Sequence, residues 1–330
     1  MTGSDLTHQL RSAVPPQAYH GLIDSVLPTL INCISDIAKS LRASHYVSQA
    51  GSANAFGDDQ LNVDVLAENS IRSAISRCPF IAVASSEEDP VERDVQIEQA
   101  SASDIPEEHY TVAFDPLDGS SIIAPNWTVG TIVGVWQGKT ALGQQPASNL
   151  VAAVLGVYGP RTTAIVALRV PGSEPVCLEL GIGENGAHDA EVIRPVVRLS
   201  ESSSKARYFA PANLRAAAED EKYMNLITHY IQSKYTLRYS GGLVPDVVHA
   251  LVKGHGIYIS PVTSSSKAKL RRLYELFPLA LIVECAGGTA IDPADGTNIL
   301  ERPLEDLNET AGLICGTAEE VRFARNILFG

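Results

Sequence analysis

The stretch "YTVAFDPLDGSS" at 110–121 decides how this chain is read. Its first five residues, Tyr110 to Phe114, are aromatic, β-branched or small, as in a buried strand. Such a strand delivers Asp115 to its end, where open α/β sheets place their ligands. Pro116 fixes the backbone and removes one N–H donor. Asp118 returns on the same turn, and Gly119 permits a tight bend. The N–H groups of Gly119, Ser120 and Ser121 can then form an anion-binding nest. A near-copy, "DPADGTN", stands at 292–298. Either copy could hold a cation between its two carboxylates, and either could be an ordinary turn.

The surroundings separate the copies. Upstream of the first, "FIAVAS" reads as a short buried strand ending at "SEED", which supplies Glu87 and Glu88. The segment "QLNVDVLAEN" supplies Asp64, and the loop "FGDD" before it supplies Asp58. Carboxylates from several segments, with no His or Cys ligand pattern nearby, specify an all-oxygen site for a hard ion. That favours Mg²⁺, with Mn²⁺ as the alternative, over zinc. Two or more such ions can activate water and stabilise the leaving oxygen of a phosphate ester. The second copy sits in "GGTAIDPADGTNIL", between short apolar pieces, and matches turn chemistry alone.

Further out, residues 18–43 carry apolar side chains at helical spacing, with Pro28 as a kink or as the true start. A second helical pattern covers 62–77, and an acidic loop runs over roughly 88–108. From 110 onward "YTVAF", "WTVGTIVGVW", "NLVAAVLGVYG" and "TTAIVALRV" are strand-like runs between turns, which predicts a partly antiparallel sheet. The serine-rich "SESSSK" at 200–205 reads as a linker or loop. Beyond it the chain alternates: helix 213–235, strand 236–240, helix 243–253, strand "GIYIS", helix 267–286, strand "GLICG" and helix 318–328. That order suggests an α/β layer arrangement. Two domains are expected, 1–199 around the candidate metal and phosphate site and 200–330 beyond it.

Composition sets outer limits. The chain has 330 residues, 45% hydrophobic and 19% charged, which is globular. A net charge of -13 argues against nucleic acid as a partner. Cys33, Cys78, Cys177, Cys285 and Cys315 are scattered, which suits a reducing compartment. No N-terminal basic segment precedes an apolar run, and "FPLALIVECAGG" is too short and too polar to span a bilayer. The expectation is a soluble cytoplasmic protein with no membrane partner.

Taken together, "GSANAFGDDQLNVDV", "SEED", "FDPLDGSS" and "AKLRRLYE" occur in an order and spacing that resembles the fructose-1,6-bisphosphatase and sedoheptulose-1,7-bisphosphatase family. The likeness runs from about residue 20 to the end, and "SSIIAPNWTVGT", "FAPANLRA" and "KYTLRYSGGLVPDV" lean to its sedoheptulose branch. The resemblance implies the sugar phosphatase fold, a layered α-β-α-β-α sandwich with mixed, partly antiparallel sheets. It implies Mg²⁺-dependent hydrolysis of the 1-phosphate of sedoheptulose 1,7-bisphosphate, with fructose 1,6-bisphosphate as the rival substrate. Glu87, Glu88, Asp115, Asp118, Glu275 and the Leu117 carbonyl match metal ligands, and Asp64 with Glu88 would activate the water. Asp118, Gly119, Ser120 and Ser121 match the cradle of the cleaved phosphate. Asn213, Tyr239 and Lys269 match sugar-phosphate contacts. Arg238 matches a residue reaching across a homodimer or homotetramer interface. Arg215 replaces a tyrosine of the fructose enzymes and could hold the distal phosphate of a longer sugar, and Ser260 replaces another. His109 and Tyr110 match the Lys-Tyr pair of the fructose enzymes' AMP regulatory site, and with His109 in place of the lysine the resemblance does not carry AMP inhibition over to this chain. In "SKAKLRRLYE" a helix entering the cleft could place Lys269 and Glu275 along its lining.

Overall fold

The computed structural model describes residues 4–12, 18–53, 59–96, 107–200, 206–263 and 266–330. Asp58 and nearly all of the 200–205 segment lie outside these residues, as does half of the acidic loop. The helices are α1 (Ser4–Ser12), α2 (Leu27–Ala43), α3 (Asn62–Ile75), α4 (Ser120–Ile123), α5 (Pro146–Asn149), α6 (Glu221–Gln232), α7 (Leu243–Lys253), α8 (Phe277–Cys285) and α9 (Ala318–Phe329). A hairpin pairs β1 (Gln49–Ala53) with β2 (Asp59–Leu61).

The large sheet uses β3 (Ile81–Ser86), β4 (Arg93–Asp94), β5 (Tyr110–Asp118), β6 (Val129–Gln137), β7 (Leu150–Tyr158), β8 (Thr162–Leu168), β9 (Val176–Gly183) and β10 (Gly186–Arg194). Its order is β10-β9-β8-β7-β6-β5-β3-β4, antiparallel from β5 to β10, with β3 parallel to β5. The second sheet uses β11 (Tyr208–Pro211), β12 (Thr236–Leu237), β13 (Ile257–Ser260), β15 (Thr289–Ile291) and β17 (Leu313–Gly316), ordered β12-β11-β13-β17-β15. A small ladder joins β14 (Leu270–Arg271) to β16 (Thr310–Ala311).

Strand alternation sets the layers. Val112, Phe114, Val133, Val154 and Val166 leave one face of the large sheet and pack with Leu30, Ile34, Val63 and Ile71 of α2 and α3. Ala113, Ile132, Ala153 and Ile165 leave the other face and pack with Val247 of α7 and Leu279 and Ile282 of α8. Those two helices also cover Ala210, Tyr258, Leu313 and Cys315 of the second sheet. Phe209, Ile257, Ile259 and Ile314 emerge on that sheet's far side against Tyr223, Tyr230 and Val321 of α6 and α9. The result is helices, sheet, helices, sheet, helices, as expected. Both sheets bury a face against α7 and α8, so the central core is common to the two halves.

Several elements differ from the expectation. The 18–43 helix begins as a π-turn, Leu22–Val26, and becomes α-helical at Leu27 with Pro28 in its first turn. The 213–235 helix is a 3-10 turn, Leu214–Ala218, followed by α6, whose Asp220 cap accepts from Tyr223 N at 2.8 Å. The 236–240 strand stops at Leu237. The 267–286 helix is three pieces: β14, a π-turn at Arg272–Leu276, then α8. Strands β9 and β10 had no counterpart in the sequence reading. Among the described residues no helix is long and apolar enough to cross a membrane. All five cysteines are free thiols, four of them buried.

Candidate metal centre

The register of β3 against β5 builds the site. Ser86 pairs with Phe114, so Glu87 arrives beside Asp115 as the two parallel strands end. Glu87 N donates to Phe114 O at 3.0 Å and closes the junction. Against β6, Asp115 faces Ile132 and Asp118 faces Gly130, so β5 holds one more residue than its partner. This bulge sits at Pro116, which has no N–H for the ladder, and bulges re-aim side chains. Thr131 Oγ1 donates to Pro116 O at 2.7 Å and fixes it. Asp115, two residues after Ala113 and before the bulge, stays on the face of Ala113, toward the layer that carries Glu275.

Asp115, Asp118 and Glu275 are buried, and one ligand oxygen from each lies within 4.8 Å of the others. Asp115 Oδ1 accepts from Leu117 N at 2.9 Å. Asp118 accepts from Leu243 N at 3.1 Å and Val244 N at 2.7 Å, the first amides of α7. Glu275 Oε2 accepts from Arg271 N. These amides do not neutralise three carboxylates. Burial first, then the charges of Glu87, Glu275 and Asp118, push Asp115 well above the usual range. Burial and Glu87 do the same to Glu275. Asp118 is raised to about 6 by burial, against the pull of the Val244 and Leu243 amides. Repelling acids in low dielectric are what a divalent cation relieves. An all-carboxylate donor set suits a hard ion.

These acids line a cavity of about 640 Å³ with Asp64, Glu87, Glu88, Leu117, Gly119, Ser120, Ser121 and Lys269. Gly119 adopts φ +103, where other residues are strained. A Cβ there would meet Val129 Cγ1 at 3.1 Å, so the turn is confined to glycine. Ser120 and Ser121 follow it, exposed to the cavity. Asp64 sits in the first turn of α3, with Oδ2 accepting from Leu61 N at 2.9 Å. Its Oδ1 is buried without a hydrogen-bond partner. Burial raises its carboxyl to about 6, opposed by the Leu61 amide. Glu88 accepts from Gln60 of β2.

Lys269 and Glu275 do share the cavity, but not along a helix. Lys269 is exposed on the extended approach to β14, and Glu275 lies in the π-turn. Arg271 was missed. It lines the cavity with its Nε 3.8 Å from Glu87 Oε1. Nothing local marks it, because pairing of β14 with β16 is non-local.

Asn213, Arg215, Arg238 and Tyr239 do not line this cavity. Asn213, left-handed at φ +50, donates to Pro261 O at 3.0 Å and Ser266 Oγ at 2.6 Å. Arg215 is exposed within electrostatic reach of Tyr239, two residues before cavity-lining Gly241. Arg238 lies over the Tyr208 ring at 5.8 Å and near His249. Strand β12 ends before both of them. Tyr110 is fully buried, with its hydroxyl on Glu108.

The second copy makes a hairpin turn. Gly296 N donates to Asp292 O at 2.8 Å, and Asp292 N to Thr297 O at 2.9 Å. Asp292 is buried in an ion pair with Arg272. Asp295 is exposed and accepts from Thr297 N at 2.8 Å and Thr297 Oγ1 at 2.6 Å.

Comparison with known proteins agrees with this architecture. The profile of the fructose-1-6-bisphosphatase N-terminal domain matches residues 6–187, and that of the C-terminal domain matches 202–329. A chloroplastic sedoheptulose-1,7-bisphosphatase of Spinacia oleracea is 35% identical over 93% of this chain and 75% of its own length. A class 1 fructose-1,6-bisphosphatase of Syntrophotalea carbinolica is 32% identical over 91% of this chain and 89% of its own. A crystal structure from Toxoplasma gondii, provisionally named sedoheptulose-1,7 bisphosphatase, superposes with a TM-score of 0.84 at 32% identity, covering 98% of both chains. With both domain profiles matched in order, the chain belongs to the fructose-1,6-bisphosphatase family.

Proposed function

We propose that the protein is a divalent-metal-dependent sugar bisphosphatase that releases the 1-phosphate of sedoheptulose 1,7-bisphosphate as inorganic phosphate. The observation that carries this is the buried trio Asp115, Asp118 and Glu275 beside the Gly119–Ser121 turn in one cavity. Two or more Mg²⁺ ions held by these acids with Glu87, Glu88 and the Leu117 carbonyl would supply positive charge for the phosphate and the leaving oxygen. The amides of Gly119, Ser120 and Ser121 cradle the phosphate in this reading. Asp64 takes the proton of the attacking water on Oδ1, the oxygen with no partner of its own. Its carboxyl near 6 keeps it ionised at neutral pH yet basic enough to act. Glu88, tied to Gln60, orients the same water. Arg271 and Lys269 are the cations of the cavity wall.

The seven-carbon preference rests on the distal side, since the metal end meets the same C1 phosphate in either sugar. Arg215, whose charge reaches Tyr239, offers a charged donor there, and Ser260 puts a small side chain at the end of β13. Arg238, exposed over the Tyr208 ring, serves a neighbouring subunit of a dimer or tetramer in this account. Mixed Arg238→Ala and Asp118→Ala subunits should then recover activity that neither variant has alone. Phosphate release from sedoheptulose, fructose and inositol phosphates, with Mg²⁺ and with EDTA, tests the function. The double variant Ser260→Tyr, Arg215→Tyr should lose about ten- to a hundredfold more kcat/KM on the seven-carbon substrate than on fructose 1,6-bisphosphate. Equal losses would assign chain-length selection elsewhere, and release without metal would reject the mechanism.

A further inference from the structure

Arg271 and Arg272 are consecutive and do opposite things. Arg271 ends β14 in extended conformation and faces the cavity. Arg272 turns to the other side, where its guanidinium is buried against Asp292 of the second D-P-x-D-G turn. Its Nε is also 3.6 Å from Glu309 Oε2, and its backbone N–H donates to Glu309 O at 2.9 Å. Glu275 follows three residues later. On an α-helix, residues three apart share a face. Here the turn is wider, closed by Phe277 N on Arg272 O. That separates the directions of Arg272 and Glu275, so one can be anchored behind the wall while the other enters the cavity. π-turns of this kind concentrate at functional sites.

We propose that Arg272 and Asp292 are positioning residues for the metal centre: their buried ion pair fixes the π-turn that presents Glu275. The two near-identical turns are then parts of one device, the first carrying two of the acids and the second bracing the third. Three features favour this over a generic stabilising contact. The pair grips the first residue of the turn that holds Glu275. The Glu275 carboxylate is itself bound to the N–H of Arg271, the residue next to the anchor. The turn must also hold Glu275 against the repulsion of Asp115 and Asp118, which a free loop would relax by moving apart.

This inference rests on Glu275 being a metal ligand, as proposed above. The test compares Asp292→Asn, the double variant Arg272→Met with Asp292→Leu, and Glu275→Gln. The double variant removes the pair without leaving a buried charge, a change that often preserves stability. Mn²⁺ binding by calorimetry and the Mg²⁺ half-saturation of phosphate release are the readouts, with kcat at saturating Mg²⁺. Removal of a group that orients a ligand typically weakens metal affinity about ten- to a hundredfold. Both Asp292 variants should show that loss while keeping kcat at saturating metal within about threefold. A folded double variant with native Mn²⁺ affinity overturns the positioning role, and it decides the matter if Asp292→Asn does not fold. Native affinity in Glu275→Gln would instead overturn the ligand assignment on which the inference stands.

Discussion

In the turn at 115–119 Asp115 Oδ1 accepts the Leu117 N–H, and in the turn at 292–296 Asp292 Oδ1 accepts the Ala294 N–H, each at 2.9 Å. Both first aspartates are buried, and both turns place a positive-φ glycine fifth. Those two contacts are shared, although the first copy is a bulge in β5 and the second a hairpin turn. The partners of the carboxylates differ. Asp115 faces Glu275, Glu87 and Asp118, a field that only added positive charge can balance. Asp292 faces the guanidinium of Arg272, so its charge is already matched. Asp118 is buried on the N-terminus of α7, whereas Asp295 is exposed on its own turn. A short motif thus fixes a local fold, and the elements that converge on it decide its chemistry.

The largest effect should come from Asp118. Asp118→Ala is expected to lower kcat at least about a thousandfold, or roughly 4 kcal/mol in the barrier. Asp64→Asn comes next, with a loss of about a hundred- to ten-thousandfold, the usual range for a general base. Initial-rate phosphate assays at saturating Mg²⁺ check both. A smaller effect appears in pH titration. The folded pKa values of Asp115, Asp118 and Glu275 lie above the unfolded ones, so the native state keeps protons that the unfolded chain has released. In EDTA, these groups should add stability as pH falls through about 6 for Asp118 toward about 4, the unfolded carboxylate range. With Mg²⁺ present the same protons compete with the ion, so apparent Mg²⁺ affinity should weaken below about 6. Melting temperatures between acid and neutral pH, with and without metal, read both signs. Smallest of all, Asp295→Ala should keep activity within about twofold and cost about 0.5–1.5 kcal/mol of stability, the worth of its local hydrogen bonds. A thousandfold loss there would reverse the comparison.

The sequence was most legible where a pattern is local. The runs that became β5 to β8 are nearly continuous apolar stretches, buried on both faces, and their turns carry Gly, Pro or Asn. The acids of the first turn and of "SEED" end two adjacent strands, so adjacency in the sheet brought them together. Strand β9 was hidden because "VCLELGIG" contains Glu179, and β10 because "GAHDAEVIR" is a half-exposed polar edge. The break at 271–272 was hidden for another reason. No side chain caps the π-turn, and what holds Leu270 and Arg271 extended before it is pairing with β16, some forty residues on. That break is why Arg271 and the Arg272–Asp292 pair were invisible in the sequence: one residue's worth of phase separates a cavity wall from a buried anchor.

The same isosteric change in both turns tests the account most directly. Asn can still accept the N–H that Asp115 and Asp292 each accept, so Asp→Asn alters charge and little else. Melting of the metal-free protein should move in opposite directions. At a pH where the cluster is ionised, Asp115→Asn removes a repelling charge and should raise the melting temperature, by about 2–4 °C for each kcal/mol relieved. Asp292→Asn leaves Arg272 buried with only Glu309, 3.6 Å away, to match it and should lower stability, by less than the about 3–5 kcal/mol of a fully unpaired buried charge. Saturating Mg²⁺ should stabilise the parent protein and do much less for Asp115→Asn. Shifts of the same sign in EDTA would contradict the claim that one turn awaits a cation while the other already holds one.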